Sequence, residues 1–161
     1  MIATRALVAP ATLGAIALLV VNDHLLKTHA PGVVTGKLSD LAGMVFFPLL
    51  LAAAVEAFGV RRGLATVIAA TVATGTVFAA TKLWVPAGDA YRFGVAALQW
   101  PFRVLAAAVA DAALPALGRA RLTTDPTDLV VLPALLAPVW LARRGQRVWC
   151  RPEVDSRANS K

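Results

Sequence analysis

The sequence predicts an all-α membrane protein: a polytopic bundle of four transmembrane helices plus an outer amphipathic or partly re-entrant helix. Three observations carry that prediction. Of 161 residues, 58% are hydrophobic and only 16% charged, where a soluble domain carries about 45–50% and about 25%. The apolar residues are gathered into long, nearly uncharged runs. The polar residues are gathered into short strings at the ends of those runs. This pattern excludes a disordered chain and a disulfide scaffold, and disfavours an ordinary cytosolic enzyme.

The first span covers about residues 6–26. Ala6 to Val21 is free of charge, Arg5 precedes it and Asn22-Asp23-His24 follows. A crossing needs about 20 mostly apolar residues, which Leu25 and Leu26 complete. No small-x-small cleavage site follows Val21, so the run reads as an uncleaved helix and not as a signal peptide. The second span, about 41–60, is interrupted only by Glu56, for which Arg61 or Arg62 is the expected partner. The third, about 63–82, is uncharged until Lys82. The fourth, about 128–142, is short and reaches crossing length only with Asp128 and Arg143 at the interfaces; Trp140 sits where indole rings favour headgroups.

Four spans place Arg5, Arg61-Arg62 and Arg143-Arg144 on one side. Basic residues flanking spans stay cytoplasmic, so both termini are expected in the cytoplasm and the Asn22–Asp40 region outside. The net charge of +7 and pI of 10.8 follow from this orientation and from contact with anionic lipid, and no nucleic-acid role is assigned. The region 93–118 carries Gln99, Arg103 and Asp111 at multiples of four residues, a polar stripe suited to an interfacial helix. Pro101 and Pro115 are expected to break it. Cys150 is the single cysteine and excludes an internal disulfide. Residues 151–161 read as a disordered cytoplasmic tail.

In this topology four polar strings converge on the outer face. They supply the candidate binding residues Asn22, Asp23, Lys27, Lys37, Ser39, Asp40, Lys82, Asp125, Thr127 and Asp128. Structural explanations compete for each. Asp125-Pro126-Thr127-Asp128 has the form of a helix start, with Asp125 as N-cap and Pro126 at the first helical position. Ser39 has the type of an N-cap for span two. Lys82 beside Trp84 reads as a snorkelling anchor. Asp23 fits capping poorly, because a carboxylate is disfavoured at a helix C-terminus; Lys37 or Lys82 is its expected partner. The catalytic candidates are His24, Asp23 and Asp40, and His24, Asp40, Asp125 and Asp128 are the set a divalent metal would use. No HxxxH, HExxH or CxxC spacing accompanies them.

The strings Asn22-Asp23-His24-x-x-Lys27, Thr35-Gly36-Lys37-Leu38-Ser39-Asp40-Leu41-Ala42-Gly43 and Asp125-Pro126-Thr127-Asp128-Leu129 resemble those of a group of small bacterial multi-pass membrane proteins. The resemblance implies residence in the bacterial cytoplasmic membrane and no particular chemistry. A looser similarity is to VanZ-like membrane proteins, which also set polar motifs at one face of a few helices. Three function classes follow. In the first, the outer cluster stabilises the bundle or binds a lipid or a partner, either a second copy or another membrane protein. The second is a metal-dependent membrane hydrolase acting on lipid or envelope substrates. The third is a small transporter subunit.

Overall fold

The computed structural model describes residues 1–30, 32–60, 62–118 and 125–149. All regular structure among them is helical: α1 (Ile2–Leu7), α2 (Pro10–Val21), a π-helical turn (Asn22–Leu26), α3 (Lys27–His29), α4 (Val33–Ala57), α5 (Leu64–Leu83), α6 (Val85–Val109), a 3-10 helix (Pro126–Leu135) and α7 (Leu136–Trp149). Three helical stretches are long and apolar enough to cross a membrane: Val33–Ala57, Leu64–Leu83 and Pro126–Gly145. The tail 151–161 and Cys150 lie outside the described residues. The chain divides into two compact units, Met1–Gly75 with the chain from Val131 onward, and Thr76–Val130.

The first expected span departs from its expected form. The chain breaks after α1, Ala9 is extended, and Pro10 starts α2 at a position where its missing N–H costs nothing. From there the backbone stays helical to His29, passing from α through π and back to α. At about 1.5 Å per residue this is roughly 30 Å, a membrane thickness. The Thr12 hydroxyl donates to the Ala6 carbonyl at 2.7 Å, a second bond to a group that also accepts the Ala9 N–H at 3.2 Å, and so ties the start of α2 to the end of α1.

Helix α4 begins eight residues before the expected second span. The polar string 35–40 is therefore helical, and the N-cap is Gly32 rather than Ser39. At this end the Thr35 hydroxyl accepts from the Gly32 N–H at 3.1 Å. The other end closes with Gly59 at φ +93°. The Val60 N–H donates to the Val55 carbonyl and the Gly59 N–H to the Glu56 carbonyl, the paired bonds of a Schellman motif.

The fourth expected span is longer than its apolar run suggested. Ten residues wind as a 3-10 helix before α7 takes over. The 3-10 rise of about 2.0 Å per residue stretches Pro126–Gly145 to roughly 35 Å. Pro126 opens this segment at a position where its missing N–H has no intrahelical partner to lose, and Pro133 falls inside it.

In the first unit, α1 packs against α4 and α7. Ala3, Ala6, Leu49, Ala52, Val67, Ala70 and Ala142 form the core. Small residues permit this close helix approach, as they do between membrane helices. At Gly75 an added Cβ would lie 2.7 Å from Leu135 Cδ1. The buried set also includes Thr12, Asn22, Thr35, Glu56, Thr66, Thr71, Thr74, Thr81, Lys82 and Asp128, while Phe47, Leu50, Val72 and Val77 are exposed. Thr71 and Thr74 settle their hydroxyls on carbonyls of their own helix at 2.8 Å. Polar groups inside and apolar side chains outside is the distribution that a hydrocarbon surrounding favours.

Helix α6 keeps Pro101 within it, contrary to the expected break, and ends at Val109. Asp111, at φ +47°, turns the chain, and residues 112–118, including Pro115, are non-helical. Helix α6 is not among the three stretches apolar enough to cross.

Candidate functional site

The antiparallel contact between α2 and α4 brings two of the polar strings together around Asn22. This side chain is fully buried at the start of the π-helical turn, a local form that recurs at functional sites. Its Nδ2 donates to the Thr35 carbonyl at 2.6 Å and to Ser39 Oγ at 2.7 Å. Its Oδ1 is buried with no hydrogen-bond partner among the described residues.

Ser39 relays the network outward. Its hydroxyl accepts from Asn22 and donates to Asp23 Oδ1 at 2.7 Å. The same carboxylate oxygen meets Lys27 Nζ at 2.6 Å, and both of these side chains are about two-fifths exposed. A buried amide, a hydroxyl, a carboxylate and an ammonium thus form one chain from the helix interface to the surface. The cation paired with Asp23 is Lys27, four residues on in sequence, and not the expected Lys37 or Lys82. Ser39 sits inside α4, where it bonds across to the first helical stretch instead of capping its own. Lys37 and Asp40 lie half-buried on the same helix.

The second unit holds a separate pair. Lys82 Nζ meets Asp128 Oδ2 at 2.5 Å, with both side chains at least nine-tenths buried. Lys82 Nζ also lies 5.4 Å from the centre of the Phe78 ring, a cation–π distance. Lys82 is thus a buried partner and not a snorkelling anchor, and Asp128 reaches beyond its own helix. Asp125 does cap: its Oδ1 accepts the Thr127 N–H at 2.9 Å, and its carbonyl accepts the Asp128 N–H at 3.0 Å. Thr127 is exposed.

The His24 side chain is exposed. Among the described residues no three His, Cys, Asp or Glu side chains gather into a group that could hold a metal ion. Of the expected metal set, His24 and Asp40 lie in the first unit and Asp125 and Asp128 in the second.

Two participants are not evident from the sequence alone. Thr35 contributes its carbonyl to Asn22, and its four-residue interval to Ser39 on one helix face is the signal for both. Glu56 has a role beyond the expected pairing. It is buried, and its Oε1 accepts the N–H groups of Ile2 at 3.2 Å and Ala3 at 3.3 Å. It supplies from α4 the N-terminal acceptor that α1 lacks on its own, where the positive end of a helix dipole favours a carboxylate. Arg62 is exposed and Arg61 lies outside the described residues.

No protein-family model, no curated protein and no solved structure matches this chain.

Proposed function

We propose that this chain is a multi-pass protein of the bacterial cytoplasmic membrane, of the structural and binding class. In this reading it crosses four times with both termini cytoplasmic. The Asn22–Ser39–Asp23–Lys27 network locks the first two crossings together at their outer end. The half-exposed Asp23–Lys27 pair is the polar contact offered there to a lipid headgroup or a membrane-protein partner.

The observation that carries the proposal is the union of the 22–27 and 35–39 strings through a buried amide. Burying an amide and a hydroxyl between apolar helices is costly unless each is bonded, and here the bonds run between the two helices. The topology is supported by the first unit. Glu56 at the end of α4 holds the start of α1, and an added Cβ at Gly63 would lie 3.0 Å from Ile2 Cδ1. Ala142 shares the core with Ala3 and Ala6. The start of the chain, the α4–α5 turn and the late part of α7 therefore occupy one end, as an even number of crossings requires. The uninterrupted helix Pro10–His29 has the length for the fourth crossing, and the resemblance of the three strings supports the bacterial membrane.

The test separates binding from folding. An exposed ion pair contributes about 0.2–1 kcal/mol, so Asp23→Asn with Lys27→Met should melt close to the parent in detergent. Loss of whole-cell complementation by that double variant is the expected result. Full complementation would remove the binding role and leave the network purely structural.

A further inference from the structure

We infer that α6 and the segment 110–118 form a membrane-interface anchor, a helix lying in the headgroup layer with its irregular return segment beside it. The inference rests on the proposed membrane location and concerns a surface that the four crossings leave unused.

The spacing of α6 gives it two faces. Tyr91, Leu98, Phe102, Leu105 and Val109 follow one another at intervals of seven, four, three and four, a single stripe of a 3.6-residue helix. All five are exposed, Val109 by 82%. Asp89, Arg92, Gln99 and Arg103, at intervals of three, seven and four, form a second stripe roughly a third of a turn away, with Gln99 and Arg103 exposed. Gly88 and Ala96, which share that polar side, are buried. The helix therefore turns its apolar face outward, where water is a poor neighbour.

Hydrocarbon is an equally poor neighbour for the segment after α6. Beyond the turn at Asp111 the chain runs back far enough for the Trp100 indole N–H to donate to the Pro115 carbonyl at 3.0 Å. Residues 113–118 show no other backbone hydrogen bond among the described residues, and Leu114 and Leu117 are exposed. Irregular backbone facing acyl chains is not tolerated. The combination demands acyl chains on one side and water within reach on the other, which is the headgroup boundary.

The aromatic residues point the same way. Trp84, Tyr91 and Trp100 are all exposed and spread over sixteen residues, roughly 24 Å of helix. A crossing helix would carry such rings only near its ends, whereas a helix parallel to the surface keeps its axis, and so the attachment point of each ring, within the headgroup layer.

The experiment uses nitroxide labels on the full chain carrying Cys150→Ser. Single cysteines replace Tyr91, Leu98, Leu105, Val109 and Leu114, with Leu50 of α4 as the reference. Vesicles of equal parts phosphatidylcholine and phosphatidylglycerol receive the protein, and oxygen and nickel-chelate accessibilities give each label's depth. The expected result is hydrocarbon depth at Leu50 and one shared, shallow depth at the other five positions. A steady change of depth between Tyr91 and Val109, roughly 27 Å in all, would make α6 a crossing and overturn the inference. Exclusion of both reagents from Leu105 and Leu114 would mean a protein partner, such as a second copy, and would also overturn it. If Leu50 itself lacked hydrocarbon depth, the membrane location would fail, and the inference with it.

Discussion

Asn22 is the residue on which the first polar network turns, because it bonds twice across to α4 and has no access to solvent. Its amide must present a donor to the Thr35 carbonyl, which fixes the kind of substitution it tolerates. Asn22→Ala removes two buried hydrogen bonds and should cost about 1–3 kcal/mol in detergent melting. Asn22→Asp conserves the shape but sets an oxygen against the Thr35 carbonyl, and should melt lower than the alanine variant. A more stable aspartate variant would mean that Thr35 is not the acceptor. The Lys82–Asp128 pair makes a second residue-scale case. Removing either partner of a buried pair leaves a charge without compensation, at about 3–5 kcal/mol, while Lys82→Met with Asp128→Asn should recover much of the loss. A double-mutant cycle with no coupling would refute the pairing. These pairings are only partly legible in the sequence. The Asp23–Lys27 interval is a familiar helix spacing, but the polar string around Asp23 resembles the end of a helix and hides it. Lys82 and Asp128 are 46 residues apart, and only folding brings them together.

At the scale of elements, the unusual piece is the six-residue α1. A helix this short is not stable alone, and it is held by packing on α4 and α7 and by the Glu56 carboxylate at its first N–H groups. Glu56→Ala leaves those groups without an acceptor and should cost about 0.5–2 kcal/mol, the range for losing an N-cap. Glu56→Gln keeps an acceptor oxygen and should be milder. Amide exchange across Ile2–Leu7 would report this, with faster exchange in the alanine variant; unchanged exchange would show that packing alone holds α1. The apolar runs are plain in the sequence, but their ends are not. Helix α4 extends back through the polar string 35–40, where interhelix hydrogen bonds engage the Asn22 amide N–H groups and the Ser39 hydroxyl. The first run is split near Pro10, and the fourth is lengthened by 3-10 winding that composition does not reveal. Gly63, in the turn just before α5, has φ +59°, so Gly63→Ala should lower detergent melting by about 1–2 kcal/mol and crowd Ile2 as well.

Across the described residues, burial is partly inverted relative to a water-soluble protein: threonines, Asn22, Glu56, Lys82 and Asp128 lie inside beside a core of alanines, Leu49 and Val67, while many leucine, valine and phenylalanine side chains are exposed. That inversion is legible as composition, since the apolar excess needs a partner larger than the chain's own core can supply. Position within the membrane is legible only from the basic pairs, and the chemistry of the outer strings is not legible at all. In the proposed topology the Asn22 network lies outside and the Arg61-Arg62 turn inside. The most direct measurement is labelling of intact cells with a membrane-impermeant thiol reagent, using single cysteines at Gly32 or Arg62 in a Cys150→Ser background. Labelling at position 32 from outside, with position 62 reacting only after permeabilisation, is the predicted result. Labelling of position 62 in intact cells would contradict the account.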